Sequence, residues 1–349
     1  MARGRDCSNP DPEPFTFQGN TRNRRRGGPM RVTVIAGGVG GARYLKGLSD
    51  YAHTLLNNDD QIQITAIVNV GDDMWMNGLR ITPDLDSIMY TLAGENDADR
   101  GWGRKNETER ISQELSAYGL GNEWFTLGDL DFATHIARSS LLRDGHSLST
   151  VTSHLCARWD IGVSLIPVTN DEVETRVHIR EGETLHFQQW WVQHRASLPV
   201  EKFEFHRAES AAPSPGVIEA ILETDRVIIA PSNPVVSVAP VFAIPGVGDA
   251  IRTTTAPVIG VSPIIGGKVV RGMADSCLRA IGVKPDACDV ALHYGARSRG
   301  GLIDAWLVDT VDSPGLPILA SAGLRAKAVP LWLTSQQASM QLAQETLMV

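Results

Sequence analysis

Four aspartates and an asparagine fall within one short stretch of this chain: Asn69-Val70-Gly71-Asp72-Asp73, then Pro83-Asp84-Leu85-Asp86. Carboxylates held this close repel one another unless something cationic joins them. An all-oxygen set suits Mg²⁺, which binds through one or two carboxylates and completes its shell with water and substrate phosphate. Such an ion serves phosphoryl chemistry, where positioning and charge neutralisation matter more than covalent catalysis. Asp72, Asp73 and Asp86 are the candidate catalytic and metal-binding residues. One carboxylate would ligate metal while another accepts the proton of an attacking alcohol, and the residues leave open which does which. Thr82 and Pro83 read as the N-cap and first residue of a helix. Asp84 and Asp86 therefore also have a structural reading, as acidic groups at a positive helix end.

A second candidate precedes the first. Gly37-Gly38-Val39-Gly40-Gly41-Ala42-Arg43 follows the apolar run Val32-Thr33-Val34-Ile35-Ala36 and opens a helix. Glycine lets backbone approach a phosphate closely, and free N–H groups at a helix N-terminus favour an anion. Gly38, Gly40 and Gly41 are the candidate backbone contacts, with Arg43 adding a charged one. The alternative is a tight turn that binds nothing. Read as G-x-G-x-x-G from Gly38, the run has Arg43 in place of the third glycine, and no acidic residue ends the next strand at ribose-binding distance. Lys46-Gly47 reverses the Gly-Lys order of a P-loop. A general nucleotide-phosphate loop fits better than a nicotinamide or Walker site.

Three further loops carry small polar groups. Pro231-Ser232-Asn233-Pro234 offers Ser232 and Asn233 to a base or sugar, or is a rigid turn. Ser262 and Lys268, with Arg271 beyond them, belong near phosphate. Trp124-Phe125-Thr126-Leu127-Gly128-Asp129-Leu130-Asp131 combines aromatics with a helix start; either aspartate could simply cap that helix. His135 lies among helical apolar residues, the setting of a structural histidine. No G-x-S-x-G elbow points to acyl transfer.

These loops need a scaffold, and the spacing of apolar residues supplies one. Residues 32–36, 62–70, 226–230 and 257–261 read as buried strands, while 106–118, 130–143, 147–159 and 272–281 carry helical spacing. Alternating strands and helices predict an α/β fold, a mostly parallel sheet with helices on both faces. Ligands on such sheets bind at the carboxyl ends of the strands. Between about 162 and 207 the period shortens to two, as in Glu174-Thr175-Arg176-Val177-His178-Ile179, which predicts a smaller β-containing insertion. The expected organisation is a disordered extension over 1–29, a nucleotide- and metal-binding part over 30–160, the insertion over 161–210, and a second α/β part over 211–349. The extension is rich in Pro, Gly and Arg and offers little to bury.

Composition narrows the partners. A net charge of −8 argues against nucleic acid, and 42% hydrophobic with 21% charged residues is ordinary for a globular chain. The apolar run 234–247 is short and broken by Pro240 and Pro245, which argues against a membrane span. Four scattered cysteines without paired spacing suit a reducing cytoplasm.

Taken together, 37–43, 69–73, 78–90, Gly101-Trp102-Gly103, 127–135, 230–237 and 262–274 resemble the 2-phospho-lactate transferase family of deazaflavin coenzyme F-420 biosynthesis, in particular its actinobacterial phosphoenolpyruvate transferase branch. The resemblance spans about 30 to 310. It implies a Rossmann-like sheet and a homodimer. It also implies a guanosine diphosphate donor linked to phosphoenolpyruvate or phospholactate, the deazaflavin alcohol Fo as acceptor, and GMP as leaving product. By the same likeness Asp86 lies at the Fo and metal site with Asp72 and Asp73 close by, and Thr126 at a ring-contacting position. Two rival readings follow from the same residues: a sugar-nucleotide-binding regulatory protein of the same superfamily, and an NAD-dependent oxidoreductase, which Arg43 disfavours.

Overall fold

The computed structural model describes residues 28–55, 61–97, 99–122, 124–180 and 182–349. Residues 1–27, most of the expected extension, lie outside the described residues.

In chain order the first part contains strand β1 (Met30–Ala36), helix α1 (Gly38–Thr54), β2 (Ile62–Val68), the short strands β3 (Met74–Met76) and β4 (Leu79–Ile81), and helices α2 (Pro83–Ala93), α3 (Arg110–Ala117), α4 (Asp129–Arg143) and α5 (Leu148–Cys156). Next come β5 (Val163–Pro167), β6 (Glu174–Ile179), β7 (Thr184–His186) and β8 (Val200–His206). The chain continues through α6 (Val217–Leu222), β9 (Arg226–Ile229), α7 (Ala239–Phe242), α8 (Val247–Thr253), β10 (Val258–Val261), β11 (Ile264–Ile265), β12 (Lys268–Val269) and α9 (Ala274–Ala280). It ends with α10 (Ala287–Tyr294), β13 (Ala305–Val308), α11 (Leu316–Ser321), β14 (Arg325–Ala328) and α12 (Gln336–Met348).

Seven strands form one sheet in the order β14-β13-β10-β9-β1-β2-β5. Every pairing in it is parallel. β10 and β13 are buried along their whole length, as parallel strands must be when helices cover both faces. This is the α/β arrangement that the apolar runs predict. One contiguous hydrophobic core fills the space between sheet and helices, and Met74, Ile81, Leu127 and Phe132 form a small satellite cluster.

The period-two region divides. β5 joins the main sheet as its edge, whereas β6, β7 and β8 pair antiparallel as a separate sheet in the order β7-β6-β8. Among the described residues no single helix is long and apolar enough to cross a membrane. The apolar run near 240 instead forms two helical pieces, Pro234–Phe242 and Val247–Thr253, bent by 87°, with Val238, Val241 and Val247 fully buried.

The strand order places the ligand-binding crevice. From β1 the chain moves through β2 to β5 on one side, and from β9 through β10 and β13 to β14 on the other. The reversal lies between β1 and β9, and a parallel sheet opens outside the carboxyl ends of its strands at that point. The loop after β1 is the glycine run, and the loop after β9 carries Ser232 and Asn233.

Candidate active site

These two loops are stitched together. Ser232 Oγ donates to the Gly37 carbonyl at 2.7 Å and accepts from the Gly37 N–H at 3.3 Å. A Cβ on Gly40 would collide with the Pro231 carbonyl oxygen, so the close approach of the second loop requires glycine there. Gly41 packs against Ser232 and Ala36, beneath the surface rather than facing the crevice. Asn233 caps the following turn by accepting the Val235 N–H at 3.0 Å.

Gly38, Gly40, Arg43, Ser232, Asn233 and Ser262 line a single open cleft of about 520 Å³. Lys268 does not line it; it is exposed on the β11–β12 hairpin. Arg271 takes that place and donates to the Arg100 carbonyl at 2.6 Å, linking the loop before α9 to the Gly101-Trp102-Gly103 segment. Neither Arg43 nor Arg271 has a carboxylate partner among the described residues. Burial, and then the Arg271 charge, pull the Arg43 guanidinium below its usual range. Two like charges held together beside a glycine turn leave a need that an anion satisfies.

The acidic segment lies immediately behind the turn. Asp84, in the first turn of α2, accepts the Gly38 N–H at 2.6 Å and the Asn69 amide at 2.9 Å. The same Asn69 amide reaches Asp72 at 3.0 Å and the Val236 carbonyl at 3.2 Å. Asn69 is fully buried, so it holds carboxylates in place. Gln188, from the insertion, binds the other Asp72 oxygen at 3.0 Å. Burial, then the charges of Asp84 and Asp73, push Asp72 well above the usual carboxylate range. Asp84 is pushed up to about 6 by burial, opposed by its bonds to Asn69 and Gly38.

Asp73 and Asp86 are handled differently. Arg80 donates to Asp73 Oδ2 at 3.2 Å, leaving Asp73 Oδ1 buried without a hydrogen-bond partner among the described residues. Burial outweighs Arg80 and Arg138 and pushes Asp73 up to about 7. Asp86 is paired with Arg138 in a very short contact and accepts from Thr82 Oγ1 at 3.2 Å. His135 sits between Asp86 (3.6 Å) and Asp131 (3.3 Å), and Tyr90 donates to Asp131 at 2.7 Å. Burial alone would lower the Arg138 guanidinium, yet the carboxylate of Asp86 holds it above its usual range. The side chains of Arg80 and Arg138 are only 5% and 2% exposed, so each is committed to its aspartate.

Among the described residues Asp72, Asp73 and Asp86 do not bring three ligand atoms to one point, although Asp73 still feels the charges of Arg138 and Asp86. Asp86 groups instead with Asp131 and His135, whose ligand atoms all lie within 4.8 Å of one another; Arg138 already supplies the positive charge there. Asp72, Asp73 and Asp84 likewise form no such three-ligand group among the described residues; Asp72 and Asp84, both buried and both held by the Asn69 amide, are the pair of carboxylates that fits Mg²⁺. Asp73 Oδ1 stays outside that pair as an unpartnered acceptor among the described residues.

Thr126 lines a separate hollow of about 160 Å³ with Phe125 and Leu127. Sequence reasoning passes over Arg80, Arg138 and Gln188. For Arg138 a signal exists: Asp131, His135 and Arg138 recur at helical spacing and share one face of α4. Gln188 gives none, because it reaches Asp72 across 116 positions of chain.

Residues 32–327 match the family described as 2-phospho-L-lactate transferase CofD. A protein of Streptomyces coelicolor named phosphoenolpyruvate transferase is 49% identical over 321 residues, covering 91% of this chain and 97% of its own. One of the same name from Mycolicibacterium smegmatis is 48% identical over 317 residues, covering 89% and 95%. Among solved structures, a Bacillus halodurans protein described as a member of the UPF0052 family superposes with a TM-score of 0.59 at 17% identity, covering 92% of this chain and 99% of its own; that likeness concerns the fold. The chain belongs to the 2-phospho-L-lactate transferase family and is a transferase.

Proposed function

We propose that this transferase moves a phosphoenolpyruvate or 2-phospholactate unit from a guanosine diphosphate-linked donor to the deazaflavin alcohol Fo, releasing GMP. The observation that carries the reading is the bond from the Gly38 N–H to Asp84. It ties the turn that borders the crevice to the carboxylate pocket, so a diphosphate seated beside the turn by Arg43 and Arg271 would lie against the acidic segment.

Each part then has a task. The turn, Arg43 and Arg271 would seat the diphosphate. Attack of the Fo hydroxyl at the phosphorus bearing the three-carbon acid breaks the P–O–P link, that phosphoryl group passes to Fo, and the guanosine-bearing phosphate leaves as GMP. Asp72 and Asp84, with Asp73 beside them, would hold Mg²⁺, whose chemical contribution is to neutralise phosphate charge. Asp73 Oδ1 is the carboxylate oxygen free to accept the proton of the attacking hydroxyl, and a group pushed up to about 7 is well matched to that work near neutral pH. Arg80 and Arg138 fix the aspartates in position. Asn69 and Gln188 do the same from the other side.

The test is direct. Purified protein is incubated with Fo and each guanylyl donor, with and without Mg²⁺, and the products are weighed. The expected result is a mass gain on Fo matching the three-carbon phosphoester, equimolar GMP, and dependence on the metal. Fo recovered unchanged with both donors would refute the reading.

A further inference from the structure

The segment between β14 and α12 crosses the mouth of the crevice. β14 is the outer strand of the sheet, four strand intervals from β1, or about 19 Å at the usual spacing. α12 nevertheless packs on α1, which follows β1: Tyr44 OH and Thr346 Oγ1 lie 2.5 Å apart, and Gly47 lets Ser339 approach. The residues between the two elements, 329–335, can span about 24 Å only if nearly extended. They must run as a strap over the carboxyl ends of β13, β10 and β9.

The strap is fixed at both ends and bare in the middle. Asp309, itself buried, accepts the Leu331 N–H at 2.9 Å, and Ser335 caps α12 through the Ala338 N–H at 3.1 Å. Val329 and Leu331 are buried, and Leu333 packs against the core. Alternation of an extended chain turns Trp332 to the opposite side, where it lines the cleft together with the glycine turn, Arg43 and Arg271. Trp332 is 50% exposed, and no aromatic ring packs on it among the described residues. Trp191, the other tryptophan of the cleft, is by contrast held edge-on by Phe187 at 5.3 Å. The main chain of Trp332, Leu333 and Thr334 makes no hydrogen bond among the described residues.

We propose that this strap is the seat of the donor's purine base: the ring stacks on Trp332, and the unbonded main chain of 332–334 reads its polar edge. The inference rests on the nucleotide-donor reading above and adds to it the residues that bind the base. A half-exposed indole with a free face, beside a site for phosphates, offers what a purine needs. Stacking on an aromatic side chain tolerates any base, whereas hydrogen bonds to an ordered main chain distinguish one edge from another.

Calorimetric titrations with GDP and with inorganic pyrophosphate, in the presence of Mg²⁺, test it on the full chain. Trp332→Ala is expected to weaken GDP binding about tenfold or more and to leave pyrophosphate binding unchanged. Trp332→Phe, which keeps a stacking face, is expected to retain most of the GDP affinity and guards against misfolding of the alanine variant. GDP binding unaffected in Trp332→Ala would overturn the proposal, as would an equal loss for GDP and pyrophosphate. Wild-type protein that binds pyrophosphate but not GDP also overturns it, and wild-type protein that binds neither sinks the nucleotide-donor reading as well.

Discussion

The two halves of the site meet at Gly37 and Gly38 but treat charge in opposite ways. On the crevice side, Arg43 and Arg271 lie close together with no carboxylate to balance them. On the inner side, Asp72, Asp73, Asp84 and Asp86 are all nearly fully buried, and two of them are bound to buried arginines. The first half is open and short of negative charge, whereas the second is closed and only half balanced from within, Asp72 and Asp84 having no cation of their own among the described residues. A ligand that brings phosphates to one and a cation to the other relieves both at once. The contrast also separates residues that hold the fold from residues that wait for substrate.

The sharpest way to break that contrast is to remove one cation from each half. Arg138→Leu leaves the Asp86 carboxylate buried and unpaired, and is expected to cost about 3–5 kcal/mol of stability in urea denaturation. Arg43→Gln is expected to change stability by no more than about 0.5 kcal/mol while weakening GDP binding. Equal losses of stability in both variants would erase the distinction.

Within the acidic half, Asp73→Asn replaces the basic carboxylate with an amide that cannot take up a proton, and is expected to slow transfer about a hundredfold or more with an unchanged circular dichroism spectrum. Transfer at the wild-type rate would reassign the proton acceptor.

The smallest expected effect is a pH dependence. Burial raises the folded-state values of Asp73 to about 7 and of Asp84 to about 6. A raised carboxylate favours the folded state while protonated, so this contribution is present at acid pH and is lost as pH rises through 6 to 7. A divalent ion binds the ionised form. Mg²⁺ should therefore raise the melting temperature more at pH 8 than at pH 5, as scanning calorimetry would read. A shift of equal size at both values would place the ion away from these carboxylates.

Much of this was legible in the chain. The apolar runs at 32–36, 226–230 and 257–261 announce parallel strands because both their faces need cover. The glycine run announces a close backbone approach, although part of that need proves internal: Gly40 makes room for Pro231, and Gly41 for Ser232. The shortened period near 174–179 marks the antiparallel insertion, yet the same region hides the fact that β5 belongs to the main sheet. Nothing in the tail suggests that Trp332 borders the cleft.

The order of residues by itself determined the strand-turn-helix that carries the glycines, the acidic loop after the second strand, and the α/β class. Each is written in local periodicity or in neighbouring residue types, which act over a few positions. Tertiary structure decided the partners. It set Asp84 on the Gly38 N–H, gave Asp73 and Asp86 to separate arginines, and carried the 329–335 strap back over the crevice. Apart from Arg80 on Asp73, seven positions away, those contacts join residues tens to hundreds of positions apart, and local spacing holds no record of which distant groups the packed sheet will bring together.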